Sequence, residues 1–180
     1  MRKTILKPEL FIICGQVGAG KTTTAKLLSK IVGAPVVSVD STLKKLLPNP
    51  SFVNKDKPPT MDELAICYNA FALLTDYTLV AGGSIIIDGA FSKQKQRDLI
   101  IQIAKKHGVP YHVLYIYCPD KILRARVSKR FLQGKGVGWI AHLKIKKIYE
   151  PVNFPHFTID TSKSVPPQLR KFLKRIDTKH

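Results

Sequence analysis

Gly15-x-x-x-x-Gly20-Lys21-Thr22, in full GQVGAGKT, follows the apolar run LFIIC at residues 10–14. Glycines let a backbone take positive φ and approach a ligand closely. Successive N–H groups in such a loop point inward and, with the N-terminus of a following helix, make a nest for an anion. A lysine at this spacing reaches the outer phosphates of a nucleotide, and the hydroxyl beside it suits a magnesium ion. A tight turn alone would account for the glycines but for neither Lys21 nor Thr22. Gly15, Gln16, Val17, Gly18, Ala19, Gly20, Lys21, Thr22 and Thr23 are therefore expected to hold a nucleoside triphosphate, with Mg2+ on Thr22.

Two carboxylates could complete the chemistry. Asp40 closes APVVSVD (34–40), and Asp88 lies in SIIIDGA (84–90). Both are expected at the carboxyl ends of strands, where open α/β sheets bind ligands. One carboxylate can orient or deprotonate an acceptor hydroxyl, and the other can hold Mg2+ directly or through water. Asp40 is assigned to the acceptor and Asp88 to the metal, although either residue fits either role. Aspartate also leaves strands by capping the next helix, and Ser41 and Thr42 follow Asp40.

Arg126 and Arg130 in RARVSKR lie four apart, on one face of a helix. They precede the basic, glycine-led stretch GKGVGWIAHLKIKKIYEP (134–151). Residues from about 130 to 150 read as a lid that carries guanidiniums to the transferring phosphoryl group and excludes water. Arg124 and Lys129 point elsewhere. Trp139 is placed either to stack on a base or substrate or to pin the lid. His107 reads as a surface residue, and His142 and His156 carry no partner pattern.

These residues need elements to position them. LFIICG (10–15), APVVSVD (34–40), SIIIDGA (84–90), YHVLYIYC (111–118) and HFTIDTS (156–162) read as strands. Helical patterns fall between them, from near Gly20 to Val32, over 60–81, from a capping Ser92 to Gly108, after Pro119, and at PPQLRKFLKRI near the C-terminus. Near-continuous apolar strands alternating with helices predict a parallel sheet covered on both faces, in one domain over 1–180. PNPSFVNKDKPPT (48–60) reads as a surface loop. Its NKDK (54–57) lacks the final Asp of the base-reading Asn-Lys-x-Asp of GTPases and follows no strand, which argues against GTP.

The chain carries 30 Lys and Arg against 12 Asp and Glu, a net charge of +18. Residues 121–150 hold nine of the cations and one acid. A basic surface draws phosphate, so an anionic acceptor or a nucleic-acid strand is admitted as a partner beside a merely solvated surface. No apolar run approaches a membrane span. The basic N-terminus leads into a run that breaks at Gly15 and Gln16, as a buried strand does and a leader peptide does not. Three cysteines without metal-ligand spacing fit reduced thiols in the cytoplasm. A monomer is expected.

GQVGAGKTT, VVSVD, IIIDGAF with Arg97 further on, RVSKR, and YEPVNFPHFTIDTS together resemble small P-loop kinases of the adenylate-kinase-like class, the predicted-kinase group that also covers zeta-toxin-like and polynucleotide-kinase-like proteins. The resemblance implies a three-layer αβα P-loop NTPase fold with a five-stranded parallel sheet in the order 2-3-1-4-5. It implies ATP·Mg2+ as donor, Lys21 at the phosphates, Asp40 on an acceptor hydroxyl, and Arg126 or Arg130 acting from the lid. Leu43 stands where polynucleotide kinases carry an arginine. Ser92 stands where adenylate kinases carry Pro-Arg, and Ser38 stands in place of the first Asp of the shikimate kinase Asp-x-Asp. The acceptor is thus left open between a small metabolite or nucleotide and a 5′-hydroxyl strand end, with a regulatory ATPase that releases phosphate to water as the alternative.

Overall fold

The computed structural model describes residues 7–50, 57–134 and 136–177. Residues 51–56, which hold most of NKDK, lie outside the described residues.

The first strand, β1 (Leu10–Gly15), is buried along its whole length. Leu10, Ile12 and Cys14 enter one apolar core, and Phe11 and Ile13 enter another. Strand side chains alternate in direction, so a strand buried on both faces needs cover on both. After β1 come α1 (Lys21–Val32), β2 (Val36–Ser38), α2 (Val39–Leu46), α3 (Met61–Val80) and β3 (Ile85–Asp88). They are followed by α4 (Gln94–Lys106), β4 (Tyr111–Tyr117), α5 (Asp120–Leu132), α6 (Trp139–Lys147), β5 (His156–Asp160) and α7 (Val165–Asp177). The sheet is parallel with strand order β2-β3-β1-β4-β5. Residues of α2, α3 and α4 fill the core on one face, and residues of α1, α5 and α7 fill the other. The fold is the three-layer sandwich expected from the sequence.

Ser38 ends β2, so the second strand stops short of Asp40. The Ser38 hydroxyl accepts the Ser41 N–H at 3.4 Å and caps α2, which begins at Val39. Asp40 therefore stands in the first turn of a helix, where its charge also suits the helix dipole. Ser92 is likewise not the cap of α4. Lys93 takes that position, with its N–H on Gln96 Oε1 at 3.0 Å, while the Glu150 carboxylate accepts the Gln94 N–H. The stretch 134–151 begins irregularly and then forms α6, which buries Ala141 and His142.

Gly15 joins β1 to the loop with φ 139°, and a Cβ built there lies 2.4 Å from the Ile116 carbonyl oxygen of β4. Gly15→Ala is expected to lower stability by at least about 1–3 kcal/mol, through strained backbone and a contact the sheet cannot yield. Urea denaturation checks it, and an unshifted midpoint would contradict the close strand approach.

Candidate active site

The glycine loop sits where β1 meets α1, at the carboxyl edge of the sheet, flanked by β3 and β4. Gly18 and Gly20 hold φ at 81° and 99°. A Cβ on Gly18 would lie 2.5 Å from Val127 of α5, and one on Gly20 would lie 3.2 Å from Thr161. The loop is thus pressed from behind by α5 and the β5–α7 turn, and glycine is required on that side as well as for backbone reach. Among the described residues no side chain caps α1, and no acid stands in its first turn. Its free N–H groups face the loop, an arrangement that favours an anion.

Lys21 Nζ donates to the Gln16 carbonyl at 2.9 Å. Burial pulls its pKa down, and the nearby Asp88 and Asp40 carboxylates oppose that pull. Thr22 Oγ1 donates to Asp88 Oδ2 at 2.7 Å, so the loop hydroxyl and the end of β3 meet as the sequence predicted. Asp88 is 3% exposed, and its burial pushes the carboxyl pKa up against the pull of Lys21 and the Thr22 hydroxyl. Asp40 is exposed, open to an incoming molecule, and close enough for its charge to reach both Lys21 and Asp88. Arg130 is also exposed, and its charge reaches both as well.

Arg126 parts from Arg130. Its guanidinium donates to Thr161 Oγ1 and to the Thr161 carbonyl, both at 2.9 Å. The Thr161 hydroxyl in turn donates to the Ala19 carbonyl at 2.6 Å. Arg126 is thus tied through Thr161 to Ala19 of the loop, where the sequence reading expected it to act with Arg130 on the phosphoryl group. Trp139 stacks flat on buried His142, with centroids 4.6 Å apart, and Arg124 lies 5.7 Å from the Trp139 ring. His142 lies one turn along the same helix, so it is the packing of Trp139 on the core and its contact with Arg124 of α5 that hold α6 to the body, the second of the two roles open to it. His107 pairs with Asp76 at 2.7 Å, away from the loop.

The floor of the site holds residues that spacing did not single out. Tyr68 Oη accepts the N–H of Phe91 at 3.3 Å, and Phe91 has φ 48°, rare for a side chain of that size. Fully buried Arg97 donates to the carbonyls of Phe91 (2.8 Å), Glu150 (3.2 Å) and Pro151 (2.7 Å), and to Gln94 Oε1 (3.0 Å). It ties the segment after β3 to the chain after α6. The signal in the sequence was the resemblance, which carried Arg97 and Tyr149-Glu150-Pro151 as separate fragments.

The residues fit ATP and Mg2+. Gln16 Oε1 in the loop is buried with no hydrogen-bond partner among the described residues. Thr22 and Asp88 supply the hard oxygens that Mg2+ prefers. Among the described residues no group of three His, Cys, Asp or Glu could enclose a metal. A cation here would therefore take its other oxygens from phosphate and water, as Mg2+ does in nucleotide sites.

A family model described as an AAA domain matches residues 10–151. Several solved structures share the fold. An unliganded sugar kinase from Janibacter sp. HTCC2649 is 18% identical with TM-score 0.70, covering 95% of each chain. An APS kinase from Mycobacterium tuberculosis, bound to AMPPNP and APS, is 14% identical with TM-score 0.69, covering 95% of this chain and 98% of that one. A gluconokinase from Sinorhizobium meliloti 1021 is 15% identical with TM-score 0.68, covering 91% and 88%. Curated proteins give no match to the chain. Among the described residues no helix is long and apolar enough to cross a membrane.

Proposed function

The chain belongs to that AAA-domain family, and we propose that it is a kinase that moves the γ-phosphoryl group of ATP to a hydroxyl of a small acceptor. The observation that carries this is the meeting of Thr22 and Asp88 at 2.7 Å beside Lys21, with exposed Asp40 and Arg130 close to the same lysine. ATP·Mg2+ supplies the activated phosphoryl group and offsets its charge when bound. The loop N–H groups and the α1 N-terminus hold the phosphates. Lys21 exchanges the Gln16 carbonyl for phosphate oxygens, and Thr22 with Asp88 holds the metal. Asp40, at the open side, orients the acceptor hydroxyl and accepts its proton. Arg130 reaches in from α5 to meet charge that grows in the transition state. Arg126 keeps the loop in place from behind.

The similar structures named for sugar, gluconate and APS kinases support a small-metabolite acceptor. The cations of residues 121–150 favour one that carries its own negative charge. Asp40→Asn is expected to slow transfer by about 10²–10⁴-fold, the range of a general base, with ATP affinity unchanged. Turnover and titration calorimetry read the two separately. Unchanged transfer would move the acceptor role to Asp88 and overturn the assignment of Asp40.

A further inference from the structure

α3 is apolar on both sides. Its inner side buries Cys67, Tyr68, Phe71 and Leu79 against the sheet. Its outer side exposes Ile66 (44%), Leu73 (59%), Tyr77 (71%) and Val80 (66%). A helix apolar all round normally lies inside something. Ile66, Ala70, Leu73, Tyr77 and Val80 follow one another at steps of four, three, four and three. That is the seam spacing by which one α-helix packs along another. A second helix laid along this face would fit that spacing.

The charge pattern narrows it further. Between Lys57 and Lys93 the sequence contains no Lys or Arg, in a chain that carries 30. Two copies at +18 repel each other over most orientations. Approach along α3 brings no cation of that segment against a cation of the same segment. The seam is also self-complementary about its centre. With two α3 helices antiparallel and Leu73 on the axis, Ile66 meets the other copy's Val80 and the small Ala70 meets the large Tyr77. An isologous two-fold interface needs this property.

We propose that this face pairs with a second copy of the same chain, α3 against antiparallel α3, giving a dimer in place of the monomer expected from the sequence. α2, which bears Asp40, packs directly on α3, so the pairing would also stiffen the acceptor side of the site.

Sedimentation velocity on the whole chain, at low and high salt, tests the proposal. The expected species has twice the 20.1 kDa chain mass. It should strengthen as salt rises, because screening removes repulsion between the cationic bodies and leaves the apolar seam intact. Leu73→Glu should give a monomer with an unchanged circular dichroism spectrum. Leu73→Cys, on the axis, should form a covalent dimer under mild oxidation, whereas Leu132→Cys, more exposed but on α5, should not. The native cysteines, Cys14, Cys67 and Cys118, are buried and do not compete. A monomer at every concentration, a dimer that survives Leu73→Glu, or no cross-link at position 73 would each overturn the proposal. The cross-link decides the matter even if Leu73→Glu does not fold.

Discussion

Lys21→Ala should lower ATP-dependent transfer by on the order of 10²–10³-fold or more while the protein keeps its fold, the loss seen when one preorganised donor to developing charge is removed. Among the described residues the ammonium makes one hydrogen bond, to the Gln16 carbonyl in its own loop. It spans no two elements, and burial already works against its charge. Losing it therefore removes little from stability. At the phosphates no other side chain of the loop carries a positive charge. Arg130 stands close enough to be felt, but it hangs from α5 and is exposed. Turnover together with thermal melting by circular dichroism measures both halves. Near-normal turnover would show that the phosphates lie elsewhere.

The second large effect falls on stability. Arg97 is fully buried and satisfies three backbone carbonyls drawn from two segments far apart in sequence. Arg97→Met nearly conserves volume but leaves those acceptors without donors. At about 1–3 kcal/mol for each buried acceptor left bare, allowing for partial relaxation, the loss should be about 3–5 kcal/mol. Arg97→Lys should fall between the two, because one ammonium cannot reach all the carbonyls that the planar fork reaches. Urea denaturation checks the order. A loss below about 1 kcal/mol for Arg97→Met would mean that the segments after β3 and α6 hold together without it.

The β1–loop–α1 unit was legible in the sequence because each part obeys a local rule: an apolar run, glycines at fixed offsets, then a helix. Asp88 was legible for the same reason, since Ile85, Ile86 and Ile87 declare the strand that it ends. Asp40 was found, but its setting was misread. Apolar content carried the strand pattern through Val39, while Ser38 and Ser41 make a cap that takes the chain into α2. The lid stretch was harder. Gly134, Gly136 and Gly138 suggested irregular chain, and α6 becomes stable only by burying Ala141 and His142 in tertiary contacts that no local pattern contains. The divergence of Arg126 from Arg130 could not be read from helix spacing at all. It depends on Thr161, 35 residues later, whose hydroxyl reaches back to Ala19.

The central claim is that the phosphoryl group goes to an organic hydroxyl and not to water. The most direct measurement is a screen with γ-labelled ATP and Mg2+ over sugars, sugar acids, phosphorylated metabolites, nucleosides and 5′-hydroxyl oligonucleotides. Free phosphate release is followed in parallel, with the Lys21→Ala protein as control. Label should appear on a small, preferably anionic, acceptor, should depend on Lys21, and should outpace release to water. Rapid release that no acceptor alters would contradict the kinase account and make the protein a nucleotide hydrolase.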